Sequence, residues 1–77
     1  GDVAKFARAV LTGADGAELS FDELYAAYAA WSAQNDLTAL ARVAFDARFS
    51  ALCRAVGFQP RRKNGRMIVA DLALSTA

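Results

Sequence analysis

Four of the nine Lys and Arg side chains of this 77-residue sequence crowd into one short stretch, Arg61, Arg62, Lys63 and Arg66, around the dipeptide Asn64-Gly65. Cations at that density suit a polyanion, and the chemistry they can do is electrostatic. Each duplex-DNA phosphate that is neutralised adds about −0.9 to the slope of log K against log salt. Four such contacts give a slope of about −3.6, or roughly a hundredfold loss of affinity between 50 and 200 mM salt. Contacts of this kind hold and orient a duplex without reading its sequence. The plain alternative is a solvated turn whose charges keep an edge strand from pairing with neighbours.

A second set of candidates lies upstream, at Arg42, Arg48, Ser50 and Arg54. On a helix whose apolar stripe is Phe45, Phe49, Leu52 and Val56, the far side carries Val43, Ala47, Ser50 and Arg54, with Arg42 and Arg48 on the flanks. Arg can read guanine bidentately, Ser can bond several base edges, and Val or Ala can touch a thymine methyl. No Asn or Gln stands there to read adenine, and Asp46 repels phosphate unless it faces cytosine. An ordinary half-exposed helix accounts for the same residues.

Other chemistries are excluded by composition. There is no histidine and only one cysteine, Cys53. Zinc sites of the Cys/His kind and His-based acid–base catalysis therefore cannot be built, nor can an internal disulfide. No carboxylate pair, activated nucleophile or Gly-rich phosphate loop is present. The expectation is a non-enzymatic module without cofactor or metal, in a reducing cytoplasmic setting. No apolar run approaches the roughly 18 residues that span a bilayer, so no membrane partner is expected. Net charge is +1, but it is divided. Residues 1–40 hold two cations and six acids, a net of −4, whereas residues 41–77 hold seven cations and two acids, a net of +5. That asymmetry points to an anionic partner for the second half.

The elements that must position these residues follow from local patterns. Val3, Phe6, Ala7 and Val10 recur at helical spacing with Lys5 and Arg8 opposite, which predicts a short amphipathic helix. "TGADGAE" (12–18) predicts a loop, followed by Leu19 as a brief extended residue pinned to the core. "SFDE" (20–23) predicts a capping box opening a second helix over 21–34. Its stripe of Phe21, Leu24, Tyr25, Tyr28 and Ser32, with Trp31 at the edge, reads as core rather than as a base-stacking platform. Leu37 and Leu40 are expected to plug the gap before a third helix from Ala41 to Ala55, ended by Gly57. Phe58–Lys63 and Arg66–Leu72, joined by Asn-Gly, predict a hairpin with a type I′ turn. Pro60 confines the first of these strands to a sheet edge. Ser75-Thr76-Ala77 reads as a frayed tail. The order helix, short strand, helix, helix, hairpin is that of a winged helix-turn-helix: mainly α, three helices plus a C-terminal β-hairpin wing, one domain over residues 1–77. In such folds the third helix enters the major groove and the wing lies along phosphates. Because the chain opens on Gly1, it is expected to be a module of a larger protein.

Two stretches, "SFDELYAAYAAWSAQNDL" and "RVAFDARFSALCRAVGFQPRRKNGRMIV", together resemble the C-terminal winged-helix domain of phage- and plasmid-type replicative primase–helicases, relatives of satellite-phage and poxvirus enzymes. The resemblance covers roughly residues 19–72 and rests on Leu24-Tyr25, Tyr28, Trp31, Phe45, Gly57-Phe58 and the basic hairpin ending in Arg66. It implies a DNA-binding appendage of a replication protein, in some members the part that recognises the origin. Catalysis in that family belongs to separate primase and helicase domains, so the partners implied are double-stranded DNA and the catalytic domains of the parent chain, with any homo-oligomer formed through the parent protein. The sequence departs from the family pattern at Ala41, Arg42 and Val43, where Ser or Thr usually caps the third helix and basic residues follow. The third helix also reads as a turn longer before Gly57.

The expected function is thus duplex DNA binding within a mobile-element primase–helicase. Two alternatives stand beside it. One is a protein-interaction winged helix that uses Val43, Ala47 and Ala51 to dock on a helicase body or a second protomer. The other is a dimeric transcription regulator of the same fold.

Overall fold

The structure, a computed structural model, describes residues 1–75. Helix α1 spans Asp2–Val10, strand β1 Leu11–Ser20, helix α2 Phe21–Gln34, helix α3 Arg42–Val56, strand β2 Pro60–Lys63 and strand β3 Arg66–Leu74. The strands form one antiparallel sheet in the order β1-β3-β2. Three helices with a three-stranded antiparallel sheet are compatible with a winged helix-turn-helix.

Local chemistry sets most boundaries. Ser20 Oγ accepts from the Glu23 N–H, and Glu23 Oε1 accepts from the Ser20 N–H, both at 3.0 Å. This reciprocal cap satisfies two N–H groups that the first turn of α2 leaves without helical partners. At the other end of the helix pair, Gly57 adopts φ +95, a left-handed value that costs a residue with a Cβ about 1–2 kcal/mol. The Phe58 N–H then donates to Cys53 O at 2.8 Å, closing α3. Asn64 and Gly65 take φ +52 and +78, the two positive values of a type I′ turn. Pro60 sits on the edge strand, where its missing N–H costs no ladder bond.

The expected loop over Thr12–Glu18 is instead part of β1. Leu11–Gly13 pair with Leu72–Leu74, and Glu18–Ser20 pair with Ile68–Ala70, with an irregularity between Gly13 and Glu18. Residues 14–17 bulge opposite Asp71. Gly16 at φ +82 and Asp71 at φ +63 bend the two strands there, and the Gly16 N–H donates to Asp71 Oδ1 at 3.0 Å. Glycines that break a local pattern here mark a bulge. β3 also runs on to Leu74, past the expected end at Leu72. Ser75, expected to begin a frayed tail, donates its N–H to Val10 O. Thr76 and Ala77 lie outside the described residues.

The core is aromatic. Phe6 is fully buried and meets Tyr28 edge-on at 5.6 Å and Phe45 at 6.4 Å between ring centroids. Tyr28 stacks on Phe45 at 4.7 Å, and Phe45 on Phe49 at 5.5 Å. Leu19, Leu24, Val69 and Leu72 close the cluster against the sheet. Each such side chain taken out of water contributes about 1.5–3 kcal/mol, so α3 is fastened by Phe45 and Phe49. Cys53 is buried beside this stripe, as a small apolar side chain there is expected to be, but the lower end of the helix departs from expectation at Val56, which is 60% exposed. Steps of four residues from Phe45 to Phe49 to Cys53 advance about 40° each round a helix, so the buried stripe drifts away from Val56. Leu40 is half-buried, but Leu37 is exposed and plugs nothing. Among the described residues, no helix is long and apolar enough to cross a membrane.

Candidate nucleic-acid interface

The hairpin brings Arg61, Arg62, Lys63 and Arg66 together, all exposed. Arg61 is registered with Ile68, Arg62 with Met67, and Lys63 with Arg66. Because side chains alternate along a strand, Arg61, Lys63 and Arg66 share the face that carries Ile68, and Arg62 takes the other. Three of the four have no carboxylate partner among the described residues. Lys63 does: its Nζ donates to Glu18 Oε1 at 2.9 Å and to Oε2 at 3.3 Å, across the intervening strand β3.

The four candidates on α3 are dispersed. Arg42 is committed to partners at the surface of the fold, where Nη1 donates to Asp22 Oδ1 at 2.8 Å and Nε to Asp46 Oδ1 at 2.9 Å. Its guanidinium lies 5.8 Å from the centre of the Tyr25 ring. The hydrogen bonds to Asp22 and then Asp46 push the Arg42 pKa up from its ordinary value. This grip fastens the start of α3 to the start of α2. Arg48 is exposed on the flank towards α1, at the rim of a cavity of about 320 Å³ that also touches Gly1, Asp2 and Leu40. Ser50 is half-buried, and Arg54 is exposed near the helix end. With the core stripe drifting to Cys53, the outward face runs through Val43, Ala47, Ala51 and Arg54, so Ser50 sits at its margin. Val43 is 82% exposed.

Sequence reasoning missed all three ion pairs. Asp46 stands four residues after Arg42, a spacing at which helical side chains meet, so that half of the Arg42 grip carried a local signal. Asp22 and Glu18 carried none, because only the packing of α2 on α3 and the strand order bring them to their partners. Ala41 precedes α3 with no side-chain cap, in keeping with the departure noted at that position.

Two further features are chemically quiet. An apolar cavity of about 380 Å³ lies between α1, the start of β1 and the end of α3, lined by Ala7, Leu11, Leu52 and Cys53 among others. Burial pushes the Cys53 thiol up to about 11, with Arg54 acting weakly the other way, which makes it a poor nucleophile. No group of His, Cys, Asp and Glu that could hold a metal ion occurs among the described residues. What the surface offers is a basic hairpin with three arginines unpaired among the described residues, and an outward helix face that is apolar at one end and cationic at the other.

A family model described as poxvirus D5 protein-like matches residues 2–76. No curated protein and no solved structure matches the chain.

Proposed function

The chain belongs to the poxvirus D5 protein-like family, and on that premise we propose that it is the duplex-DNA-binding module of a replication primase–helicase. The β2–β3 wing lies along phosphates and α3 faces the major groove. Arg61, Arg62 and Arg66 carry the reading: they are exposed, unpaired among the described residues, and stand on a turn whose conformation needs only Asn64 and Gly65. Arg48 and Arg54, likewise without a carboxylate partner among the described residues, add charge from α3. Arg42 and Lys63 are secondary, because a phosphate must displace a carboxylate from each. Origin recognition, if this module performs it, requires base contacts from α3, since the wing supplies charge alone.

The test is fluorescence-anisotropy binding to a labelled duplex between 50 and 200 mM salt, with the wild type beside an Arg61→Ala/Arg62→Ala/Arg66→Ala variant. Three phosphate contacts contribute about −2.7 to the slope of log K against log salt, and the variant is expected to lose that share. Equal slopes for the two proteins, or no binding by the wild type at 50 mM, overturn the proposal.

A second reading rests on Val43, a bulky apolar side chain on the outward face of α3. Such a residue can anchor a protein partner, the helicase body of the parent chain or a second protomer. A complex insensitive to salt, formed by a module that leaves duplex DNA free, favours this reading over the first.

A further inference from the structure

Resting on the duplex-binding reading, we infer that Val43 reads the C5-methyl of a thymine, so that the module prefers an A·T pair where the first turn of α3 meets the groove. Val43 is the most exposed of the large hydrophobic residues of the structure, at 82%. The charged residues nearest to it along the helix, Arg42 and Asp46, are engaged with each other. Arg42 beside it is turned back onto Asp22 and Asp46, and the next outward residue on the same face, Ala47, has no polar group to offer a base. Arg54, the cation of this face, lies three turns further along and has no carboxylate partner among the described residues. The outward face is therefore apolar at its start and cationic at its end.

The major-groove edge of a base pair offers one apolar group, the thymine methyl; every other mark is a hydrogen-bond donor or acceptor. A valine pressed against guanine or cytosine leaves those groups without water or partner, which is unfavourable. Against thymine it buries a methyl. Unpaired cations on the wing and at Arg48 and Arg54 favour a polyanion over a neutral protein surface as the occupant of this face.

Selection of tight binders from a duplex pool with a randomised core, followed by anisotropy on the enriched duplex, tests this. In the enriched site, one thymine replaced by uracil, which removes only the methyl, is expected to weaken the wild type about fourfold, the effect of about one buried methyl group. Val43→Ala, whose shorter side chain covers less of the methyl, is expected to lose most of this discrimination. The substitution sits at an exposed helix position where alanine is the better helix former, so the fold is kept. If every uracil replacement leaves the wild type unchanged, or Val43→Ala keeps the full discrimination, the inference is overturned while duplex binding stands. Binding without enrichment of any sequence has the same meaning. If no duplex is retained at 50 mM salt, the DNA reading itself fails and takes this inference with it.

Discussion

Lys63 Nζ lies 2.9 Å from Glu18 Oε1, an ion pair that spans β3 and joins the edge strand of the basic turn to the far strand of the sheet. Both side chains are substantially exposed, at 50% and 38%. A pair so placed contributes at most about 1 kcal/mol to stability. Its larger consequence is electrostatic, because Glu18 neutralises one of the four wing cations.

Glu18→Gln is therefore expected to change binding more than folding. Freed from its carboxylate, Lys63 adds one phosphate contact, which steepens the slope of log K against log salt by about 0.9 and raises duplex affinity at 50 mM salt. The urea midpoint is expected to move by less than the equivalent of about 1 kcal/mol. An unchanged slope with a lowered midpoint means that the pair is structural and Lys63 lies off the DNA path.

The linker between α2 and α3 is held by two tyrosines. Tyr25 Oη donates to Leu40 O at 2.8 Å, and the Leu40 N–H donates to Tyr28 Oη at 3.0 Å. Tyr28→Phe keeps the stacked ring and leaves a half-buried N–H unpaired, at a cost of about 1–3 kcal/mol. For a domain of this size, each kcal/mol lowers Tm by about 4–8 °C. Tyr25→Phe removes the partner of a carbonyl, a group that tolerates being unpaired better than an N–H does, and is expected to cost less. Thermal unfolding of the two variants ranks them. If Tyr28→Phe melts with the wild type, water serves the Leu40 N–H and the clamp contributes nothing.

What the sequence made legible, and what it hid, divides along distance. Ser20 and Glu23 are three residues apart, Asn64 and Gly65 adjacent, and Gly57 directly follows its helix, so each boundary was set by chemistry within one turn of chain. The range of α2 and the edge position of Pro60 came from the same kind of signal. β1 was hidden because its ladder partners, Ile68–Ala70 and Leu72–Leu74, stand 48 to 63 residues away, and its glycines looked like a break. On α3 the wheel placed Ser50 on the outward face, but the buried stripe turned towards Cys53 and moved Ser50 to the margin. The basic turn was legible as a cluster of charge. That Lys63 answers to Glu18 and Arg42 to Asp22 was not, because tertiary packing alone makes those pairs; only Asp46, one helical turn from Arg42, carried a local signal.

The β1 bulge depends on Asp71 twice over. Its φ of +63 is one that Asn and Asp tolerate better than other residues with a Cβ, and its Oδ1 takes up the Gly16 N–H. Asp71→Asn keeps both properties and is expected to be nearly neutral. Asp71→Ala loses the acceptor and leaves alanine in the left-handed region, at a combined cost of about 1–3 kcal/mol. Urea unfolding measures the cost, and hydrogen exchange at the Gly16 amide is expected to quicken in Asp71→Ala alone. Equal midpoints for the two variants mean that the bulge is held by the ladder on either side of it.

Cys53 gives folding a dependence on alkaline pH. Burial holds its pKa at about 11 in the folded chain, against an ordinary value of 9.0. Below pH 9 the thiol is neutral in both states and its burial contributes fully. As pH rises from 9 towards 11 the unfolded chain releases the proton and the folded chain keeps it, so this stability is lost across that interval. Other groups titrate there too, so the informative quantity is the difference between wild type and Cys53→Ala. At pH 8 the variant is expected to be the less stable, having lost a packed sulfur from the cluster with Phe45 and Phe49. By pH 10.5 the gap in urea midpoint is expected to narrow. At pH 8 the folded protein is also expected to react slowly with a disulfide reagent and its urea-unfolded form quickly. A gap that stays constant with pH, together with rapid labelling of the folded chain, means that the thiol reaches solvent, through the adjoining apolar cavity.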